Sequence, residues 1–376
     1  MYNDINVKNS VVQKLDFRIG SRKIPYYLGS NCAREFAQII GGLRPDKVFI
    51  VADETVSGIY KEVILGTFQS QFRCAWVSIA PGETEKNITT ISSLCSQILA
   101  SECTRKSIIV PLGGGVIGNI AGLAASLLFR GIRLVHMPTT LLAMHDSVTS
   151  CKQAVNHASS KNILGAYYSP EAILADTAFL ATLPEKHIRS GKGELVKNAL
   201  IFGGRQYQEV LMAISGETSE ENLIRMVELG VEAKSSLLHL DPFEKQQAII
   251  FEYGHTIGHG IELSCKGELS HGESIALGMK YAAVISNAMG LLPNESLDIH
   301  QQLIAKLQPA FPAEKPDRAA IMRYVMNDNK RGYIPTAKDE VPMILLRGIG
   351  EVAADKEHHY LSKVPVALLN KTLSNL

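Results

Sequence analysis

The chain has 376 residues, 46% of them hydrophobic and 20% charged, which excludes a disordered or fibrous protein and leaves room for roughly two domains at ~150 residues each. Thirty-eight Lys and Arg against 37 Asp and Glu give a net charge of +1, which argues against a dedicated nucleic-acid or membrane-surface binder, since both need a basic excess. Cys32, Cys74, Cys95, Cys103, Cys151 and Cys265 form no C-x-x-C pair; they read as buried or incidental thiols in a reducing compartment. Residues 1–10 lack the apolar core of a signal peptide, so the expected location is the cytoplasm.

In chain order, residues 47–52 are a β-rich run ending at Asp53, and residues 75–79 are another. Ile91, Leu94, Ile98 and Leu99 recur at helical spacing. Residues 108–110 predict a strand, followed by Gly113-Gly114-Gly115 and a helix to about Leu128. The 23 uncharged residues from Ser107 to Phe129 are long enough to span a bilayer. Pro111, the glycine triplet and Asn119 interrupt them, so a buried strand, a tight turn and a buried helix fit better. Residues 133–137 predict the next strand, stopped by Pro138.

Strands alternating with helices imply parallel β-α-β units. Beyond Leu183-Pro184 the apolar residues take helical spacing to about Gly290, and residues 341–346 are a later strand candidate. The expectation is an α/β Rossmann-like nucleotide-binding domain over 1–183 and a mostly α-helical, metal- and substrate-binding domain over 184–376. A boundary without a Pro- or Ser-rich linker reads as a hinge or cleft, where ligands usually sit.

Gly113, Gly114, Gly115 and Gly118 follow a strand and open a helix. Glycines there let the backbone approach a pyrophosphate, which the free N–H groups of a helix start attract. The same glycines also serve turn and packing. One feature departs from the usual dinucleotide fingerprint: the candidate ribose acid, Asp53, precedes the glycines instead of following them.

His255 and His259 stand four apart, on one face of a helix. His271 follows in Ser270-His271-Gly272-Glu273, which reads as a capping box at a helix start. Glu194 shares a helix face with Lys197 and Asn198. Imidazoles with a carboxylate suit a divalent metal that keeps one position open. Spacing leaves open which two of the three histidines are ligands. Polar segments around Asp146, Lys152, Lys161 and Asn162 suit phosphate or ribose, and Lys197, Lys234 and Lys330-Arg331 are further cationic candidates.

Several segments occur in a telling order: GGGVIGNIAGLAASLLFRG, PTTLLAMHDSVTSCKQAVN, SSKNILGAYYSPEAILADTAFLATLP, GELVKNALI, FEYGHTIGHGIE, SHGESIALGM and NDNKRGY. Together they resemble the sugar phosphate cyclase superfamily, to which 3-dehydroquinate synthase belongs, over nearly the whole chain. Four departures point to the branch that acts on glucose 6-phosphate. Glu252 stands where dehydroquinate synthases carry Asn, and Ala248 where they carry Arg. Asn119 replaces the Asp of their glycine loop, and KQAVN replaces a KTGVN-like run. The Asn and Arg look like binders of a substrate carboxylate, which anionic Glu252 would repel and glucose 6-phosphate lacks.

The resemblance implies NAD at Asp53, Glu83, Lys86, Gly114, Gly115, Asn119, Thr139, Thr140, Lys161, Asn162 and Thr182. It implies Zn²⁺ or Co²⁺ on Glu194, His255 and His271, with His259 left for the substrate. Asp146, Lys197, Lys234 and His259 match substrate-binding positions. Lys152 and Glu252 are the candidates for proton chemistry. Arg130 matches an arginine that reaches across a dimer interface, so a homodimer is implied.

The implied reaction converts D-glucose 6-phosphate to 2-deoxy-scyllo-inosose, the carbocycle of 2-deoxystreptamine aminoglycosides. It runs through transient oxidation at C4, elimination of phosphate, re-reduction and intramolecular aldol closure. The alternatives are dehydroquinate synthase, a valiolone-type cyclase on a seven-carbon sugar phosphate, a metal-dependent glycerol-type dehydrogenase, and a non-catalytic subunit that retains the fold.

Overall fold

A computed structural model of the chain describes residues 11–157, 160–265, 268–307, 309, 316–354 and 360–375. Residues 1–10, expected to carry no signal peptide, lie outside the described residues. The chain divides into two units: Met1–Leu183 with Ser219–Phe243, and Pro184–Thr218 with Glu244–Leu376.

The first unit is built on a seven-stranded sheet. Its strands are β1 (Gln13–Ile19), β2 (Arg22–Gly29), β3 (Val48–Asp53), β4 (Cys74–Ile79), β5 (Ile108–Gly113), β6 (Arg133–Pro138) and, after a separate hairpin of β7 (Lys152–His157) and β8 (Ser160–Tyr167), β9 (Ala172–Asp176). The spatial order is β1-β2-β9-β6-β5-β3-β4. Only β1 runs antiparallel to its neighbour. β5 is buried at every residue and β3 at all but Asp53, which is why both read as continuous apolar runs: helices cover both faces of a parallel sheet.

The helices of this unit are α1 (Ala33–Gly42), α2 (Glu54–Gln69), α3 (Ile88–Ala100) and α4 (Gly115–Leu127). Two start on side-chain caps: Asp53 accepts from the Val56 N–H, and Asn87 from the Thr90 N–H. The sheet order reverses at β3, with β4 on one side and β5 on the other. β3 and β5 are hydrogen-bonded neighbours, with Val51 opposite Pro111. The carboxyl ends of these two strands, Asp53 and Gly113, therefore flank the point where an open α/β sheet binds its ligands.

The second unit holds α5 (Glu185–Phe202) and α6 (Gly204–Ser215). After α7 (Glu220–Leu238), which belongs to the first unit, it resumes with α8 (His255–Ser264), α9 (His271–Ala288), α10 (Asn294–Lys306), α11 (Arg318–Met326) and α12 (Val366–Thr372). Two small antiparallel pairs accompany them: β10 (Glu340–Met343) with β13 (Ser362–Pro365), and β11 (Leu346–Gly348) with β12 (Glu351–Val352). The division expected from the sequence was contiguous, whereas here α7 returns to the first unit. The physical reason is on its buried face: Gly230 lies against His145, Lys234 pairs with Asp146, and the Leu238 carbonyl accepts from the Gly20 N–H.

Glycines set the spacing inside the second unit. A Cβ on Gly193 would stand 2.7 Å from the Gly272 carbonyl oxygen, and one on Gly258 2.7 Å from Ile275. A Cβ on Gly272 would collide with the Ser190 carbonyl, and one on Gly278 with the Gly254 carbonyl. α5, α8 and α9 therefore approach backbone to backbone. Among the described residues, no helix is long and apolar enough to cross a membrane.

Gly278→Ala is expected to destabilise the chain by about 1–3 kcal/mol through overpacking and to lower its Co²⁺ content. Denaturant melts and metal analysis check this; an unchanged midpoint would mean the helices separate at no cost.

Candidate metal centre and nucleotide turn

In the second unit, α5, α8 and α9 bring Glu194, His255, His259 and His271 together. The ring nitrogens of the three histidines lie within 4.8 Å of one another. Glu194 is fully buried. Its Oε1 faces His255 Nε2 at 3.6 Å and His271 Nε2 at 3.5 Å. The ligand atoms of a tetrahedral site with bonds of about 2.0–2.2 Å stand about 3.3–3.6 Å apart.

The tautomers fit the same purpose. His255 Nδ1 lies 3.2 Å from the Tyr253 carbonyl, and His271 Nδ1 lies 3.1 Å from Glu262 Oε2. Both partners are acceptors, so each Nδ1 carries a proton, and each Nε2 faces Glu194, where a bound cation would displace any proton and take the lone pair. Glu194 Oε1 itself is buried without a hydrogen-bond partner, which costs about 1–3 kcal/mol. A divalent cation satisfies all three atoms at once.

The local sequence explains the placement. Gly254, in the left-handed conformation at φ 79°, turns the chain into α8 immediately before His255. Ser270 caps α9 through the Glu273 N–H, and Glu273 answers by accepting from the Ser270 N–H, so the expected capping box is present and His271 is the first residue of its helix.

Burial alone would raise the Glu194 carboxyl, but the Lys197 ammonium and the facing imidazoles hold it well below the usual carboxylate range. Lys197 is itself buried and donates to Glu194 Oε2. Burial and the neighbouring imidazoles push His259 well down. For His271 burial acts downward, and Glu262 and Glu194 outweigh it, raising it to about 10.

Glu252 ends the short helical turn Gln247–Glu252. Its Oε2 accepts from Lys330 Nζ at 3.4 Å, and the same ammonium lies 2.9 Å from Asp328 Oδ1. In the sequence Lys330 is only one of several cations, and nothing there singles out Asp328 or Glu262. No spacing rule links Glu252 to a loop 76 positions away or tells which carboxylate will orient a histidine.

In the first unit the glycine turn lies at the end of β5, as expected. Gly114 is the N-cap of α4 and makes no side-chain cap, leaving the first N–H groups of a full-length helix to a ligand. The turn is tightly enclosed: a Cβ on Gly114 would lie 3.1 Å from Thr140, and one on Gly115 3.1 Å from Ser147. The Thr139 N–H donates to the Gly113 carbonyl at 2.9 Å. Asn119 donates to the Gly115 carbonyl at 2.8 Å and accepts from the Ala154 N–H at 3.0 Å. An aspartate could not donate there, which is a physical reason for Asn at this position.

Glu83, Lys86, Lys161 and Asn162 form one polar cluster. Lys86 donates to Asn162 at 2.6 Å, and Lys161 lies 3.7 Å from Glu83. Asn156 joins them, donating to Glu83 and accepting from the Asn162 N–H, both at 2.9 Å. Thr182 instead meets Tyr60 of α2, the helix that Asp53 caps.

Lys234 pairs with Asp146 at 2.9 Å. Lys152 opens β7, two residues before the strand contact to Asn119. Phe129 and Arg130 both hold positive φ, at 52° and 63°, and this strained corner presents Arg130 exposed.

Residues 76–190 match the 3-dehydroquinate synthase N-terminal family, and residues 191–331 its C-terminal counterpart. The chain belongs to the 3-dehydroquinate synthase family. Within that family it is similar to the 2-deoxy-scyllo-inosose synthase of Streptomyces paromomycinus, at 40% identity over 357 residues, 94% of this chain and 92% of the relative. The enzyme of the same name from Niallia circulans is 43% identical over 275 residues, 72% of this chain and 75% of that one. A crystal structure of 2-deoxy-scyllo-inosose synthase complexed with carbaglucose-6-phosphate, NAD+ and Co²⁺ superposes with a TM-score of 0.90 at 35% identity, covering 96% of this chain and all of that one. The expected fold class, a parallel α/β first domain and a mostly helical second, is the one this family member has.

Glu194→Ala is expected to abolish stoichiometric metal loading, and Glu262→Gln to weaken Co²⁺ binding about 10–100-fold. Cobalt absorption and metal analysis read both. A Glu194→Ala protein that still carried one tightly bound ion would remove Glu194 from the ligand set.

Proposed function

We propose that this chain is a carbocycle-forming lyase that converts D-glucose 6-phosphate to 2-deoxy-scyllo-inosose and phosphate, using NAD and a divalent metal, Zn²⁺ or Co²⁺. The observation that carries this reading is Glu252, with buried Ala248 one helical turn before it. That pair offers no cation to a substrate carboxylate and one carboxylate that would repel it, so a sugar phosphate without a carboxylate fits and a seven-carbon acid does not. The similarity to 2-deoxy-scyllo-inosose synthases over 94% of the chain supports the same substrate.

Bound NAD supplies reversible hydride exchange at C4, and the bound metal supplies Lewis-acid polarisation of the oxygen on that carbon. Glu194, His255 and His271 are assigned to the metal. Asp53, Gly114, Gly115, Asn119, Thr139, Thr140 and Thr182, with the Glu83, Lys86, Lys161 and Asn162 cluster, are assigned to NAD. Lys197 and His259, beside the metal donors, and Asp146 and Lys234, paired in the first unit, are assigned to the sugar. Their donors and acceptors select a hydroxylated ring.

Oxidation at C4 acidifies the C5 proton, which lets phosphate leave from C6. Lys152 anchors charge or relays a proton, and Glu252 exchanges a proton with the sugar. Ring opening and aldol closure complete the carbocycle, and NAD ends unchanged. We assign the product to 2-deoxystreptamine aminoglycoside biosynthesis. We place the enzyme in the cytoplasm as a homodimer with sugar phosphate as its small-molecule partner and no nucleic acid or membrane. The exposed Arg130, at the position the family uses across its dimer interface, supports the dimer.

Purified protein given glucose 6-phosphate, a trace of NAD and Co²⁺ is expected to release phosphate and an oxime-trappable carbocyclic ketone with no net NADH. Turnover of a seven-carbon sugar phosphate alone would favour the other cyclases, and accumulating NADH the dehydrogenase. Glu252→Gln is expected to keep NAD binding and lose turnover by about 10²-fold or more; full activity in that variant would sink its role.

A further inference from the structure

We infer that Asn156 is a positioning residue for the cofactor: its side-chain amide holds the Glu83 carboxylate in the orientation that accepts from a hydroxyl of NAD. This rests on the reading of Glu83 as a group that binds NAD.

The period of β7 brings Asn156 to Glu83. Side chains alternate along a strand, so Lys152, Ala154 and Asn156 share the half-buried face of β7, while Gln153 and Val155 on the other face are buried. β7 pairs with β8 outside the seven-stranded sheet, so its far end needs an anchor of its own. The Asn156 N–H supplies one by donating to the Lys86 carbonyl at 2.8 Å. This bridge lies beside Asn87, the cap of α3, and sets Asn156 next to the short turn Glu83–Glu85.

The side chain is anchored as well. Asn156 Oδ1 accepts from the Asn162 N–H at 2.9 Å. Asn162 holds a φ of 53°, a left-handed conformation that asparagine adopts more readily than most residues. Its own side chain is held in turn, since Asn162 Oδ1 accepts from the buried Lys86 ammonium at 2.6 Å. With its backbone and its amide oxygen both fixed, Asn156 has one direction left for its amide nitrogen. That nitrogen donates to Glu83 Oε1 at 2.9 Å.

Glu83 depends on this contact because burial does not fix it: 45% of its side chain is exposed. A glutamate in that position loses rotamer freedom when a ligand orders it, and a partner that orders it beforehand removes that cost from binding. Asn156 and the Lys161 ammonium, at 3.7 Å, both fall on Oε1. Oε2 is thereby turned to the open side, where it accepts from a hydroxyl of the nucleotide. An amide suits the linking position because it presents an acceptor to one segment and a donor to the other. Asn156 acts through Glu83 and not on the nucleotide itself.

Calorimetric titration of NAD into the Co²⁺-loaded protein tests this, using Asn156→Ala, Glu83→Ala and the two combined. Asn156→Ala is expected to weaken NAD binding about 10-fold, as for the loss of a hydrogen bond to a charged group, with Co²⁺ content unchanged. The combined variant is expected to bind NAD no more weakly than Glu83→Ala alone, because a residue that acts through Glu83 has nothing to add once Glu83 is gone. Asn156→Ser, whose single hydroxyl cannot span both segments, decides the matter where Asn156→Ala does not fold. Unchanged NAD affinity in Asn156→Ala overturns the inference alone. So does a combined loss equal to the product of the two single losses, or a parallel loss of Co²⁺, which marks a loosened fold. Wild-type protein that takes up no NAD overturns the cofactor reading and this inference with it.

Discussion

The candidate metal centre depends on how closely three helix backbones approach. α5, α8 and α9 meet at glycines, and a methyl group at Gly272 or Gly278 would run into a backbone carbonyl. That contact places a carboxylate from one helix and imidazoles from two others at 3.5–3.6 Å, the separation that a tetrahedral cation requires. Larger residues at the seam would spread the donors, and no side-chain adjustment of a short residue such as His could recover the distance. The geometry of the metal donors is thus a packing result before it is a chemical one.

Charge placement follows the same logic. The second unit buries Glu194, Lys197 and Lys330 almost completely, which is tolerable only because each has an opposite charge in contact. Lys197 neutralises one oxygen of Glu194 and leaves the other facing the histidines. Asp328 and Glu252 share Lys330. In both groups one partner settles the burial cost and another group is left oriented for chemistry. The orienting acceptors of His255 and His271 extend the pattern to the tautomers.

The first unit offers a different arrangement, a backbone turn suited to a bulky anion. β3 and β5 end side by side where the sheet order reverses, and the chain offers there an acid, a glycine turn and the free start of α4. Asp53 precedes the glycines in sequence, contrary to the usual fingerprint, yet adjacency in the sheet matters more than order along the chain. Asn119 links that turn to β7, the strand that begins at Lys152. The glycine turn and the candidate proton carrier are therefore tied through one amide side chain.

Much of this was legible in the sequence, because it is written in local patterns. The buried runs of β3, β5 and β6, the helix after the glycines, the i, i+4 histidines and the Ser270–Glu273 capping box all follow from periodicity and cap chemistry within a few residues. The ordered family segments added the metal, the cofactor and the reaction. The edge hairpin of β1 and β2 and the β7–β8 hairpin were not read: their strands carry polar residues on exposed faces and lack the continuous apolar run of a buried strand. Nor was the return of α7 to the first unit, since an amphipathic stripe says that a helix buries a face and not against what. By itself the sequence marked which residues of this protein are candidates to bind a metal, a nucleotide and a sugar phosphate. Only the tertiary structure decided which nitrogens of His255 and His271 face Glu194, and that Asp328 and Lys330 stand behind Glu252, because those contacts are set by the packing of elements far apart in the chain.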